Sequence, residues 1–294
     1  RRRVKVLIPL HVTAMWLPVY TDDPLTTGSI GVGVLLKPGA VVEVEAGNGG
    51  QGPIPHISAV LKRLGLSASV RVSAPVPLGA GYGLSAAYTL GAALGASALA
   101  GRPLLEAAQA AHVVEVEMGT GLGDVIAEFY GGGIEVRVRP GAPGVGVVDK
   151  VPHPRGVVVL AHTFGTEETS LMLMRLREVL RGAGARLVEK FLESPTYEAF
   201  LELSTEFSRT AGFLTREVEG RISPCKRWVE GYYAKKGVLL ILVNADVAEE
   251  ARHCLHREGV DIRLFQISYA GTIVVGGGKE KERGGLPKSG VLPP

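Results

Sequence analysis

The chain has 294 residues, of which 46% are hydrophobic and 21% charged, and 40 are glycine, about twice the usual share. A chain of this length can bury a large core, which excludes a disordered protein and a disulfide-stapled miniprotein. The net charge is only +3, so no strong field favours binding to nucleic acid or to an anionic membrane. The two cysteines, Cys225 and Cys254, form no disulfide framework, and we expect a reduced, cytoplasmic protein.

The first half of the chain mixes strands and helices. β-branched runs predict strands at residues 4–10, 32–36, 41–46 and 68–73, and apolar residues at helical spacing predict a helix within residues 53–66. Two helices follow, at residues 85–98 and 103–118. Residues 72–101 carry no charge, but only about 16 of them suit a helix, fewer than the roughly 20 that span a bilayer. We therefore predict a buried helix of a soluble protein.

The second half is more charged. We predict strands at residues 134–138, 157–161, 238–243, 261–265 and 272–275, a largely helical stretch at 167–231, and a helix at 247–258. The strands and helices do not alternate strictly, which favours an α+β fold over a doubly wound sheet. A change of character near residue 155 predicts two domains, at residues 1–155 and 156–278, and a flexible tail at 279–294.

The strongest local motif is the glycine-rich loop PLGAGYGLSAA at residues 77–87, between a predicted strand and an apolar helix. Such a loop can present backbone N–H groups and the positive end of a helix dipole to a phosphate. Ser85 stands at the helix start, where its hydroxyl either caps the helix or binds the Mg²⁺ of a nucleotide. A Walker A loop is excluded because its lysine is missing, and a dinucleotide fingerprint fails because Leu84 replaces its third glycine.

Three carboxylates, Glu115, Glu117 and Asp124, flank a second glycine string at residues 119–123. Phosphoryl transfer to an alcohol needs a carboxylate that orients the hydroxyl and accepts its proton, and Mg²⁺ needs oxygen ligands. The alternative is structural: Asp124 caps a short helix at residues 125–130, and the glutamates lie on a helix surface. The residues alone leave both interpretations open.

Several other polar residues are weaker candidates. His253 and His256 have no third ligand near them in the sequence, so a metal site is not expected, and His112 is expected to be a packing residue. One arginine could bind a substrate carboxylate with two parallel hydrogen bonds, and the sequence does not choose among Arg71, Arg137 and Arg155.

The loop at residues 77–87 resembles the phosphate-binding motif of the GHMP kinases, which usually ends in Gly-Leu-Gly-Ser-Ser-Ala-Ala. Tyr82 replaces the leucine, and Leu84 replaces the first serine. Asp124, followed by an apolar run into Gly131-Gly132, is similar to the catalytic aspartate of that family. Residues 11–13, 22–33 and 120–125 are most similar to its archaeal pantoate kinase branch. His11 stands where mevalonate kinases carry a lysine, so we expect this chain to lack that lysine.

The resemblance implies a two-domain GHMP kinase fold, with an amino-terminal half like the second domain of a ribosomal protein and a ferredoxin-like carboxyl-terminal half. It implies Asp124 as the catalytic residue and Ser85 and Glu115 as ligands of Mg²⁺. The implied ATP contacts are Pro77, Gly79, Ala80, Gly81, Tyr82, Gly83, Leu84, Ser85 and Ala86. The implied substrate contacts are His11, Thr13, Gly28 and Ser29.

The implied activity is ATP-dependent phosphorylation of the primary hydroxyl of (R)-pantoate, a step towards coenzyme A, with no nucleic-acid or membrane partner. A homodimer is compatible with the resemblance. Two alternatives stay open: a kinase for another small alcohol such as mevalonate or homoserine, and a non-catalytic protein that binds a nucleotide or RNA. For a kinase, we expect the glycine segments 79–83, 119–123 and 131–133 to face one cleft.

Overall fold

Two long antiparallel strands, β1 (Arg3–Val19) and β2 (Gly28–Ala46), run through the centre of the protein. The computed structural model describes residues 2–49 and 52–276, and the tail predicted at 279–294 lies outside them. At the start of β1 every second side chain is buried, as in a strand with one face in the core. From Ile8 to Trp16 every side chain is buried, because helices cover both faces of this part of the strand.

The remaining elements follow in chain order. The other strands are β3 (Ala68–Ser73), β4 (Ile134–Arg139), β5 (Val147–Val151), β6 (Val157–Thr163), β7 (Val229–Lys235), β8 (Val238–Asn244), β9 (Arg263–Ile267) and β10 (Ile273–Gly276). The helices are α1 (Pro55–Leu64), α2 (Leu84–Leu99), α3 (Leu104–Glu117), α4 (Asp124–Tyr130), α5 (Thr169–Arg175), α6 (Arg177–Arg181), α7 (Ala183–Glu193), α8 (Tyr197–Thr210), α9 (Arg216–Ile222) and α10 (Ala248–Arg257). Short 3-10 helices lie at Ser223–Trp228 and Ala245–Val247.

The strands join in one sheet of order β10-β1-β2-β9-β6-β8-β7, in which the described pairs are antiparallel. Strand β2 is its branching point. Successive segments of β2 pair with β4, β9 and β3, and β5 extends the sheet beyond β4. Because β9 lies between β2 and β6, strands from both halves of the chain meet beside the centre of β2.

Helix α2 is almost wholly buried and packs on β1 and β2 between α1 and α3. A Cβ on Gly91 would lie 2.5 Å from Cγ2 of Val42, and one on Gly95 would overlap Val44. These glycines therefore let the helix approach the sheet closely, and the predicted buried helix is confirmed. Within residues 2–49 and 52–276, no helix combines the length and apolar character needed to cross a bilayer.

Helices of the second half cover the opposite face of β1. Trp16 packs its ring against Phe207 and Phe213, with ring centroids 5.3 and 6.3 Å apart. The core is therefore continuous across the middle of the chain. The predicted α+β architecture is confirmed, whereas the division into domains near residue 155 stays a prediction.

The expected strands and helices are present, but two strands are longer than predicted and two further strands were not predicted. Strands β1 and β2 are far longer than the predicted runs, because pairing with each other carries them through Pro9, Pro18 and several glycines. Strands β5 and β7 were not predicted. Strand β5 lies mostly exposed beside β4 and has no apolar alternation that would reveal it, and β7 begins inside the stretch at 167–231 that was predicted as helical.

The expectation of two reduced cysteines is wrong. Cys225, in the 3-10 helix Ser223–Trp228, forms a disulfide with Cys254 of α10. Both residues are buried. They are 29 positions apart, and the sequence contains no sign that the two segments pack together.

Removing this disulfide should lower thermal stability without changing the pocket described below. A crosslink that closes a 29-residue loop lowers the entropy of the unfolded chain and so raises the free energy of unfolding by about 3–4 kcal/mol. Its loss corresponds to a fall in Tm of roughly 5–10 °C. We expect this fall in the Cys225→Ala/Cys254→Ala variant, measured by calorimetry. Wild-type protein refolded under reducing conditions is the control and should match the variant; equal Tm values for oxidised wild type and the variant would contradict the prediction.

Candidate active site

The glycine-rich loop before α2 shapes one wall of the main pocket. Gly79, Gly81 and Gly83 have φ angles of 84°, 118° and 71°, which side chains with a Cβ rarely adopt. Gly83 is the N-cap residue of α2, and no side chain among the described residues caps that helix. The N–H groups of its first turn are therefore available to an anion.

From Ala80 onwards, the apolar side chains of the loop are buried. Ala80, Tyr82, Leu84 and Ala86 are buried, and the hydroxyl of Tyr82 lies 2.7 Å from that of Thr163. The pocket lining includes Gly79, Gly81, Tyr82, Gly83, Leu84 and Ser85 but not Pro77, Ala80 or Ala86. Contacts of this loop with a phosphate would therefore come chiefly from its backbone and from Ser85.

Ser85, which lines the pocket, is bonded to the buried Glu115 of α3. Ser85 Oγ donates to Glu115 Oε1 at 2.9 Å, so the serine binds the carboxylate instead of capping α2. Thr120 also donates to Glu115. Burial raises the pKa of Glu115 to about 7, against the opposing effect of these hydrogen bonds. Glu117 is exposed and pairs with Arg63, so it lies outside the site.

A buried chain of polar groups connects Asp124 with the sheet. His11 of β1 is fully buried; its Nδ1 lies 2.7 Å from Asp124 Oδ1, and its Nε2 lies 2.7 Å from Glu135 Oε1. Asp124 is the first residue of α4 and makes no capping hydrogen bond there. Asp124 is therefore not a helix cap, and the structural alternative for this residue is wrong.

The charges of this chain follow from its contacts. Burial alone lowers the pKa of His11, but hydrogen bonds with Asp124 and Glu135 outweigh it and raise the pKa above its usual value. Burial alone raises the pKa of Asp124, but Lys235 and the bond with His11 lower it below its usual range. We conclude that an imidazolium at His11 donates to two carboxylates and keeps Asp124 ionised.

Glu128 lies one helical turn after Asp124, beneath the glycine-rich loop. Among the residues that the structure describes, none binds either of its carboxyl oxygens. Burial and the neighbouring Asp124 raise its pKa well above the usual value, which favours the neutral form of the carboxyl. A Cβ on Gly83 would lie only 2.5 Å from Glu128 Oε1, which gives this glycine a second reason to lack a side chain.

Arg137 of β4 is the arginine that the fold brings to the pocket. It is buried, donates from Nε to Ser29 Oγ at 3.1 Å, and pairs with Glu135. Thr13 and Ser29 line the pocket beside it, whereas His11 lies behind Asp124 and away from the lining. Arg71 pairs with Glu43 and Glu45 on an exposed surface instead.

Two lysines in the pocket were missed by the sequence analysis. Lys235 ends β7 and Lys236 follows it in the turn to β8, and both line the same pocket as Ser85 and Asp124. The fold supplies positive charge from the second half of the chain, and in the sequence these residues are visible only as a Lys-Lys-Gly run before the predicted strand at 238–243.

Other candidates lie elsewhere. Gly28 packs against the backbone of Gly141, and His112 binds the carbonyl oxygen of Thr27. His256 contacts Asp261, and no group of three metal-ligating side chains occurs in the described part of the chain. Arg155 is exposed and outside the pocket lining.

The glycine segments converge only in part. Segments 79–83 and 119–123 both contribute to the pocket lining. Gly131–Gly133 instead pack against residues 268–271, where Gly132 and Gly133 donate to Tyr269 and Ser268. The expectation that all three segments face one cleft is therefore wrong for the third, which the segment after β9 holds outside the pocket lining.

Comparisons with known proteins agree with this site. Residues 55–132, which contain the loop, Glu115 and Asp124, match the family described as GHMP kinases N terminal domain. A solved structure described as a phosphotransferase related to the CoA biosynthesis pathway has a TM-score of 0.80 and 29% identity, covering 93% of this chain and 98% of that one. Mevalonate-3-kinase from Thermoplasma acidophilum has a TM-score of 0.66 at 12% identity, covering 93% and 98% of the two chains, and shares the fold.

Proteins of similar sequence indicate which family of GHMP kinases the chain belongs to. Pantoate kinase from Thermococcus kodakarensis is 33% identical over 243 residues, covering 73% of this chain and 78% of that protein. Pantoate kinase from Methanocaldococcus jannaschii is 31% identical over 226 residues, covering 71% and 81%. The fold and the loop thus define a GHMP kinase, and at this level of identity the chain belongs to the pantoate kinase family.

Replacing His11 with glutamine should remove a stabilising effect that is strongest at low pH. The pKa of His11 is higher in the folded than in the unfolded protein, so its contribution is complete below about pH 6.5 and falls as the pH rises through the folded pKa. We expect wild type to exceed His11→Gln in unfolding free energy by more at about pH 6 than at about pH 8.5, by denaturant titration.

His112→Gln is the matched control for this experiment. Burial lowers the pKa of His112, so the advantage of wild type over this variant should shrink as the pH falls below about 6.5. The same pH slope for both variants would show that His11 is not an imidazolium in the folded protein.

Proposed function

We propose that the chain transfers the γ-phosphoryl group of ATP to the primary hydroxyl of pantoate, yielding 4-phosphopantoate in coenzyme A biosynthesis. The observation that carries this proposal is one pocket lined by the glycine-rich loop, Asp124, Arg137 and Ser85, whose hydroxyl bonds to the buried Glu115. The relatives reported above are pantoate kinases, and ATP is the phosphate donor of their family.

The nucleotide phosphates would bind at the loop and at the start of α2. Backbone N–H groups of this segment and the positive end of the helix dipole suit the phosphates. Ser85 and Glu115 provide a hydroxyl and a carboxylate side by side, which are the hard oxygen donors that Mg²⁺ prefers, so the residues present fit this ion. When bound there, Mg²⁺ would neutralise charge on the phosphate oxygens.

Asp124 would orient the attacking hydroxyl and accept its proton. A carboxylate with a lowered pKa is a weak base, which at first conflicts with this role. The transition state of phosphoryl transfer is loose, however, so placing the hydroxyl in line matters more than basicity. His11 serves this requirement because its two hydrogen bonds fix the Asp124 side chain against the sheet.

The carboxylate of the substrate would pair with Arg137. This guanidinium is held by Ser29 and Glu135, and it lies close enough to Asp124 to lower that residue's pKa. A short hydroxy acid could therefore contact both residues at once, its carboxylate at Arg137 and its far hydroxyl at Asp124. Trp16, Ile54 and Leu122 line the pocket and would accept an apolar middle of such a molecule.

The Asp124→Asn variant should lose catalysis while keeping its fold. The amide can still accept a hydrogen bond but cannot take up the proton, so we expect kcat to fall by about 10² to 10⁴. The measurement is ADP release at saturating ATP and pantoate. Asp149→Asn, which alters an exposed carboxylate outside the pocket, is the control and should retain wild-type turnover. Near-normal kcat in Asp124→Asn would refute the assigned role.

The same assay tests the substrate. We expect ADP release with pantoate but far less with mevalonate or homoserine. In the Arg137→Gln variant, we expect the KM for pantoate to rise by about tenfold or more, because a buried charge-assisted pair is lost. The KM for ATP should change little. Turnover of mevalonate but not pantoate would favour the alternative kinase, and RNA binding without ATP turnover would favour the non-catalytic alternative.

A further inference from the structure

The turn between β7 and β8 holds a lysine in an unfavourable backbone conformation at the pocket. Lys236 has a φ angle of 51°, and it is the one residue other than glycine with a positive φ among those that the structure describes. Glycine would adopt this conformation with less strain. A strained residue that lines a pocket suggests that its side chain has a function there.

The turn is docked firmly on the glycine-rich loop. Gly237 donates from its backbone N–H to Ala80 O at 3.0 Å, and Phe164 donates to Gly237 O at 2.8 Å. A Cβ on Gly81 would lie only 2.9 Å from Lys235 O. The position of Lys236 is therefore fixed relative to the part of the loop that faces the pocket.

The side chain of Lys236 points to the same space as the acidic residues of the site. Its Nζ donates to Thr169 Oγ1 at 2.7 Å, at the start of α5. Its charge acts on Asp124, Glu115 and Glu167, so the ammonium lies within electrostatic range of both sides of the pocket. Lys235 beside it is buried, with its ammonium 5.5 Å from the centre of the Trp16 ring.

The glycine-rich loop itself supplies no full positive charge. It lacks the lysine of a Walker A loop, and the helix dipole offers only a partial charge. Negative charge on the transferring phosphoryl oxygens is usually neutralised by a cationic side chain as well as by the metal. Lys236 stands beside the loop and lines the same pocket, and it carries the kind of charge that the loop lacks.

We propose that Lys236 is a further catalytic residue, whose ammonium contacts the transferred phosphoryl group from the carboxyl-terminal half of the chain. The inference rests on the proposed kinase function. In the transfer, the bond between the γ-phosphorus and the bridging oxygen breaks, its electron pair leaves with ADP, and a bond to the substrate oxygen forms. Asp124 takes the hydroxyl proton. Lys236 keeps its own proton and contributes only charge.

Lys236→Gly separates catalysis from folding, because glycine relieves the strain at this position. We expect its Tm to equal or exceed that of wild type, while kcat falls by about 100-fold or more. By calorimetry, affinity for a non-hydrolysable ATP analogue should fall by about tenfold, since the γ-phosphate loses a charged partner, and affinity for ADP by less than about threefold. Lys236→Arg, which keeps the charge, should retain most of the analogue affinity.

Lys226→Gly removes an exposed lysine outside the pocket and should change neither affinity nor kcat. The inference is overturned if Lys236→Gly retains kcat within about threefold, or if its affinities for ADP and for the analogue fall equally. If either result is obtained for Lys236→Gly while the wild-type protein binds both nucleotides and phosphorylates pantoate, the proposed function is still supported. A wild type that binds neither nucleotide would overturn both proposals.

Discussion

The geometry of the site depends on a histidine buried between two carboxylates. His11 binds Asp124 on one side and Glu135 on the other, and Glu135 in turn binds Arg137. Burying an unpaired charge is costly, so the alternation of acid, imidazolium, acid and guanidinium allows all four groups to lie inside the protein. The same contacts fix Asp124 and Arg137 relative to each other. These are the two residues that would contact the two ends of a small hydroxy acid.

The fold brings these groups together from distant positions. His11 comes from β1, Glu135 and Arg137 from β4, and Asp124 from the start of α4. Strand β2 lies between β1 and β4, and its Gly33 leaves the space in which the His11 ring reaches Glu135. The high glycine content thus has two uses: positive φ angles in the phosphate loop, and close approach of side chains or helices elsewhere.

Much of the site could be predicted because it lies in motifs that are continuous in the sequence. The loop at residues 79–85, Glu115 and Asp124 fall on one continuous stretch of the first half, and their resemblance to the GHMP kinase motifs implied their roles. Glu135 and Lys236 could not be predicted in the same way. Their roles depend on strand register and on a turn from the second half, which local periodicity does not encode. The disulfide between Cys225 and Cys254 was missed for the same reason.

The protonation state of His11 tests the central claim most directly. In protein with ¹⁵N-labelled histidine, the seven histidines give distinguishable ring signals, and the His11→Gln variant identifies the signal of His11. We predict that both ring nitrogens of His11 carry a proton at about pH 7.5, above the usual histidine pKa. A neutral ring at that pH, with one nitrogen unprotonated, would contradict the account, because His11 could then not donate to both Asp124 and Glu135.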